Sequence, residues 1–454
     1  RDGTIKIVTS VDVFNEGLDV PSVNTILMLR PTESPVVFLQ QLGRGLRKAP
    51  GKSEVLVLDF IGAHRVQYRL DLKLGALSGA SRGELIRNVE AGFPFLPSGV
   101  TISLDKIARE RVLANIKAQI SPPETFIVRE IAEIGSTYLG TYLEKSAREP
   151  WEVYRLRKAK SSWTALKFQA GLGGDSKSTN LASVSKFLHI NDLERFEAYS
   201  RFTKPGLIPW SQASERERRL RNMFFWQMWP DAKDTNGVRW GSVDSALEAL
   251  SHDQAFSDEL CQLLEYLKEK SRNPVSKTFF SRADIPLQTH ANYSRYEIMG
   301  ATGRAFLTSS DFGYQMKGKS PDSISFAIEG VQYLPEIELD IFYITLRKGK
   351  QFSPSTRYLD YAVSDTIFHW ESQNKTSVDT ETGKRYLNQG ETRHDVLLCI
   401  RESTESEVRT QTFRIIGLAD YMKHQGSAPI SIWWKLRTPL DLETYQVASA
   451  VRVA

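Results

Sequence analysis

Cysteine is nearly absent: Cys261 and Cys399 are the only two in 454 residues. That number excludes a disulfide framework, and their separation excludes a cysteine-rich zinc cluster. A reducing cytoplasm is the expected setting. Long apolar runs are missing too, so neither a membrane-spanning helix nor a signal peptide is expected. Internal repeats and low-complexity tracts are absent. Charge of one sign is scarce: 59 Lys+Arg against 54 Asp+Glu leave a formal +5, which permits a nucleic-acid partner without arguing for one. No Gly-x-x-x-x-Gly-Lys-Ser/Thr loop occurs. The nearest stretch has one residue too many between Gly45 and Gly51, and it runs from a helix into a strand, the reverse of a phosphate-cradling loop. It reads as a turn. An Asp-Glu-x-His or Asp-Glu-x-Asp magnesium box is also missing.

What is present is ordinary globular material, 41% hydrophobic and 25% charged, in a length that suits roughly two to four domains. Ile5–Thr9, Thr25–Leu29 and Glu54–Phe60 are short apolar runs of the kind buried in parallel sheets. Between the last two, Ser34 as N-cap and Pro35 at the first helical position predict a helix, completing a βαβ unit. At helical spacing Gln40, Gly43, Arg44 and Arg47 share one face. Phe38, Leu39, Leu42 and Leu46 share the opposite one and are expected to pack on the sheet. Two guanidiniums on adjacent turns can grip the charge that builds up in phosphoryl transfer. Gly43 is expected to let a backbone approach closely.

Together the stretches Val8–Pro21, containing Asn15-Glu-Gly-Leu-Asp-Val-Pro21, and Gln40-x-x-Gly43-Arg44-x-x-Arg47 resemble the fifth and sixth motifs of the C-terminal RecA-like lobe of superfamily 2 (DEAD/DEAH-type) helicases. The resemblance implies that Thr9 or Ser10 touches the nucleic-acid backbone and that Gly17, Asp19 and Gly43 line the nucleotide. Gln40, Arg44 and Arg47 would reach the phosphates of ATP. It also implies ATP and Mg²⁺ as cofactors, held mainly by a first lobe that this chain lacks, and DNA as partner, with RNA left open. Arg1 opens inside the resembling region, which predicts a piece of a longer protein. The chain alone is expected not to hydrolyse ATP.

From Ala63 onward the pattern turns helical. Ser103 is the expected cap of a helix carrying Leu104, Ile107, Ala108, Val112 and Ile116, stopped by Pro122-Pro123. Helical spacing continues through Phe126–Ser146 and Trp151–Phe168, breaks at Gly171–Ser178, and resumes to about Lys270. Arg218, Arg219 and Arg221 could lie on a duplex, but a solvated face beside an aromatic stripe is the plainer reading. After Pro274 the texture is β, with strands expected over 337–346, 396–400, 413–417 and 430–436. The expected fold is therefore a partial α/β parallel-sheet lobe (1–64), a helical connector (65–123), a helical domain (124–272) and a β-rich, α+β C-terminal domain (273–454).

The segments Thr289–Ile298 and Ser353–Asn374 resemble a bacterial domain of unknown function found after such helicase lobes. Its relatives often carry a phospholipase D-like nuclease ahead of the first lobe and look like phage-defence proteins. Three readings of its residues compete. Tyr361, Phe368 and Trp370, with Arg295, Arg357 and Lys375, could stack bases and hold phosphates. Asp365 with Glu371 and Gln373 faintly resembles a magnesium nuclease pattern, although a glutamine stands where lysine is expected. Alternatively His369 and Trp370 are core residues. A nucleic-acid reader using Trp370, Tyr361 and Arg357 is the reading adopted. His290 and His369 lack a third ligand nearby, so no metal site is expected.

Overall fold

A computed structural model describes residues 6–9, 21–29, 35–60, 70–78, 82–90, 92–93, 96, 101–120, 122–154, 162–174, 177–271, 284–303, 330–347, 360–392, 394–403 and 412–449. They group into two compact units, residues 1–127 and 128–454. No helix among the described residues is long and apolar enough to cross a membrane.

In the first unit, β1 (Thr25–Met28) lies parallel to β2 (Leu56–Asp59), with Ile26 opposite Val57 and Met28 opposite Asp59. Helix α1 (Pro35–Gly45) is the crossover between them. Its proline needs no N–H partner at the first helical position; Ser34 lies outside the described residues. Phe38 and Leu42 bury against Met28, with Ile26, Val57 and Leu77 packed around them. Leu39 and Leu46, expected on that face, are 43% and 69% exposed, because α1 ends at Gly45 and two strands cover only a narrow stripe. The close approach also belongs to a different glycine. A Cβ on Gly45 would meet Ile26 Cδ1 at 2.7 Å, whereas one on Gly43 would meet nothing within 4 Å. Helices α2 (Leu70–Ser78), α3 (Arg82–Glu90) and α4 (Lys106–Ile120) pack together, burying Leu85, Ile86, Val89, Val112 and Ile116. Asp105, not Ser103, caps α4 by accepting from the Ala108 N–H at 2.8 Å, and this register leaves Ile107 63% exposed. Lys6–Thr9, expected to end a strand, are exposed and carry no regular structure.

The second unit begins within α5 (Glu124–Ile134) and continues through α6 (Leu139–Ser146), α7 (Pro150–Tyr154), α8 (Trp163–Gln169), α9 (Leu193–Phe202), α10 (Glu215–Met228), α11 (Val243–Ser251) and α12 (Gln254–Lys270). Ser162, Asp192, Ser214, Ser242 and Asp253 each start a helix by accepting a backbone N–H. Phe187 stacks on Phe224 at 5.1 Å, and Tyr199 meets the same ring edge-on at 5.1 Å. Two arginines of α10 turn inward: Arg221 pairs with Glu217 and Asp244, and Arg219 with Glu215 and Asp284, while the partly exposed Arg218 donates to the Trp210 carbonyl at 3.0 Å. They are not a duplex-facing row.

The remaining elements are β3 (Asn292–Tyr293), α13 (Arg295–Ala301), β4 (Gly330–Leu334), β5 (Leu339–Thr345), β6 (Tyr361–Ala362), β7 (Ile367–Glu371), α14 (Glu381–Leu387), β8 (Asp395–Arg401), β9 (Phe413–Gln425), β10 (Ser431–Leu436) and α15 (Leu442–Ser449). The strand order is β4-β5-β8-β9-β10-β7-β6, with β3 added to β9. Only β5 and β8 run parallel among the described pairs of this sheet. Every residue of β5 is buried, so both of its faces are covered. Phe342, Phe368, Trp370, Trp434 and Tyr386 share one core with Ala448 of α15. The helices and this sheet form one unit because α13 lies directly on α10. A Cβ on Gly300 would come within 2.8 Å of the Met223 nitrogen, so only glycine allows that approach.

Candidate functional site

Burying Phe38 and Leu42 turns the other side of α1 outward. Gln40, Gly43 and Arg47 are exposed there. The Arg44 side chain lies outside the described residues, as do Ser10, Gly17 and Asp19, while Thr9 is exposed. The stretch from Gly45 to Ser53 is a turn with a role of its own. The Lys52 ammonium donates to the Pro21 carbonyl at 2.8 Å, to the Arg47 carbonyl at 3.0 Å and, very closely, to the Gly45 carbonyl. Gly45 O is an orphan acceptor at the C-terminus of α1, where a cation is favoured, and Arg47 O lies two residues beyond it. Behind the helix, Lys73 pairs with Asp59 at 2.5 Å and sits 4.2 Å from the Phe38 ring.

The aromatic cluster of the C-terminal region divides between two faces of the sheet. Trp370 is 6% exposed, its ring 4.2 Å from Phe342 and 5.7 Å from Tyr386. A ring packed in this way offers no face to a base, so Trp370 is a core residue and not the expected stacking platform. Tyr293 is likewise buried beneath Arg195, and Arg295 lies over Tyr343 and Phe413. Arg357 lies outside the described residues, and Lys375 is exposed. Asp360 is buried and accepts the Glu371 N–H at 3.1 Å. Glu371 ends β7 and Asp365 lies in the turn before its start; at about 3.3 Å per residue the strand between them alone spans roughly 13 Å. They cannot share a magnesium ion. Among the described residues no group of three or more His, Cys, Asp or Glu is placed to hold a metal.

Residues 1–49 match the helicase conserved C-terminal domain, and residues 287–448 match a domain of unknown function, DUF3427. The chain joins a helicase C-terminal lobe to a DUF3427 domain. It is 38% identical over 66 residues to the putative ATP-dependent helicase IRC3 of Saccharomyces cerevisiae, covering 14% of this chain and 10% of that one. It is 38% identical over 64 residues to a 51.5 kDa protein of a Lactococcus phage, 14% of each. Against the DNA 3'-5' translocase XPB2 of Sulfurisphaera tokodaii it is 34% identical over 70 residues, 15% of this chain and 16% of that relative. The matched stretch thus spans between 10% and 16% of each of these three curated relatives.

On the DUF3427 sheet, the face opposite Trp370 carries a row that spacing alone did not single out. Lys423, Trp433, His369 and Tyr361 stand directly opposite one another on β9, β10, β7 and β6. The Lys423 ammonium is 4.8 Å from the Trp433 ring, Trp433 meets His369 edge-on at 4.7 Å, and His369, itself buried and so no platform, stacks on Tyr361 at 4.8 Å. Alternation along β10 was the available signal: of Trp433 and Trp434, only one can face the core. Elsewhere, Glu297 collects His189 at 2.5 Å, Arg195 at 2.9 Å and the Tyr199 hydroxyl at 2.8 Å, all buried. Burial would raise the Glu297 pKa, but the charges and hydrogen bonds of His189 and Arg195 outweigh it and hold the carboxyl at about 2. Asp340, also fully buried, accepts from Arg385 at 2.8 Å and pairs with His394 at 2.7 Å. Both acids already have internal partners and belong to the packing.

Proposed function

We propose that this chain is the C-terminal part of an ATP-driven superfamily 2 helicase or translocase acting on DNA, working in the cytoplasm in genome or phage defence. The observation that carries the reading is the one-sided burial of α1, which turns Gln40, Gly43 and Arg47 outward on a parallel αβ scaffold. In this reading Gln40, Arg44 and Arg47 hold the ATP phosphates, and Gly17, Asp19 and Gly43 line the nucleotide. Thr9 or Ser10 contacts the nucleic-acid backbone. ATP and Mg²⁺ are bound mainly by a first lobe, joined by a nuclease domain. Our division is a partial lobe over residues 1–64, a connector over 65–123, a helical domain over 124–272 and a β-rich domain from 273.

The β-rich domain binds nucleic acid in this reading, through Tyr361 and Trp433 with Lys423 and Arg357, rather than through Trp370. Support comes from the cross-strand row of rings ending in a cation, a pairing suited to bases and phosphates. The test is ATP turnover with and without DNA in protein extended to include a first lobe. DNA-stimulated hydrolysis is expected there, and none from the 454-residue chain alone. Turnover by that chain alone, or none from the extended protein, overturns the proposal.

A further inference from the structure

We propose that Lys52 is a positioning residue that couples the two motif segments of the helicase lobe. The inference rests on the helicase reading above and names a residue which that reading does not use. A lysine ammonium has three N–H donors. Here it has three backbone acceptors: Pro21 O at the exit of the first segment, and Gly45 O and Arg47 O at the end of α1. All three donors are occupied, so Lys52 leaves no proton to offer a phosphate. Its acceptors lie on two pieces of chain with different duties. Pro21 ends the stretch assigned to nucleic acid and nucleotide, and Arg47 belongs to the arginine face. The C-terminal end of α1 is pressed against β1 and the residue before β2 as well, since a Cβ on Gly45 would clash with Ile26 and crowd Val55. Helix end, strand ends and Pro21 are therefore joined into one body, and a displacement of the first segment on binding DNA reaches Arg47 through the ammonium.

The extended protein would be assayed with oligo(dT) as the probe. Lys52→Met keeps most of the aliphatic stem and removes every donor. The ratio of DNA-stimulated to basal ATP turnover is expected to fall about 5- to 150-fold, the span of a typical coupling energy, with KM for ATP unchanged. Lys52→Arg supplies replacement donors and should restore most of the ratio. A clamp that only stabilises the lobe would lower basal and stimulated rates together, and that result overturns the proposal, as does an unchanged ratio. Hydrogen exchange gives a readout without hydrolysis: oligo(dT) should alter protection of amides 36–47 in the unmodified protein and leave them unaltered in Lys52→Met. A wild-type protein without ATPase would defeat the helicase reading alone, and the exchange comparison would still decide the role of Lys52.

Discussion

The β1–α1–β2 segment of the first unit and the second unit treat apolar surface in opposite ways. In the first, Leu27, Leu56, Leu58 and Phe60 of the β1–β2 region are 42–56% exposed, and the cluster beneath α1 has three buried members. In the second, every residue of β5 is buried and charged groups such as Arg195, Glu297 and Asp340 are enclosed with partners. Two strands with one helix are a weak foundation, because a small sheet gains too little burial to offset chain entropy. In the proposed reading the lobe's chemistry sits on exposed side chains such as Gln40 and Arg47. The second unit places its polar groups where removing one disturbs the fold. A substitution in the first unit should cost activity before stability, and in the second stability before activity.

The largest effect that would sharpen this contrast is kinetic. In the extended protein Arg44→Ala or Arg47→Ala should lower ATP turnover by about 10³-fold or more with an unchanged melting temperature, and lysine should not rescue. Wild-type turnover would remove the assignment. Trp434→Ala should do the reverse, destabilising the second unit by about 3–5 kcal/mol in a denaturant melt. Trp370→Ala belongs with it, and a Trp370→Ala protein that keeps its stability but loses DNA binding would return that ring to the surface.

Glu297→Gln removes the anion from His189 and Arg195 and is expected to cost about 3–5 kcal/mol. Its pH signature has a defined sign. A carboxyl held at about 2, below its ordinary 4.5, adds stability above the ordinary value and loses it as pH falls from there toward 2. Acid melts should show that loss in the wild type and a flatter profile in Glu297→Gln. Trp433→Ala should weaken oligonucleotide binding about 5- to 150-fold, the equivalent of about 1–3 kcal/mol per stacked base, without changing the salt slope. Unaltered binding would reduce the ring row to a cross-strand packing device. The smallest difference is one of exchange: β1 and β2 amides should exchange with solvent sooner than those of β5 and β8.

Local signals made the first unit readable. Pro35, the apolar runs on either side and the period of Phe38 and Leu42 place α1 and both strands without reference to distant residues. Local signals also failed there by small steps: Asp105 out-competes Ser103 as a cap, and Leu46 falls beyond the helix end. In the second unit the polar and aromatic segment around His369 and Trp370 looked like one surface. Strand alternation sends the two rings to opposite faces, and which face is the core depends on pairing with β10, more than sixty residues away. Nothing local announces the parallel pairing of β5 with β8 or the edge strand β4. The inward arginines of α10 were not legible: the plainer reading was a solvated face, but Arg219 and Arg221 are buried and paired, with Glu215 and Glu217 four residues before them and with Asp284 and Asp244 far off in sequence.

The position of β10 has a consequence for how the protein is made. It is the last of the described strands in chain order, yet it lies between β9 and β7 in the sheet. While a ribosome is still releasing the chain, β8 can zip onto β9 and β6 onto β7, but the two half-sheets have no seam until residues 431–436 emerge. The arriving Trp434 then reaches Phe342 on the far half, their rings 5.6 Å apart. Until that moment the side of β9 beyond its short pairing with β3, from Ala419 to Gln425, is an open strand edge beside uncovered apolar side chains, the condition in which nascent chains stick to one another. Translation stalled shortly before Ser431 should therefore yield chains held by chaperones or cleared by proteases, however sound the helices made before them.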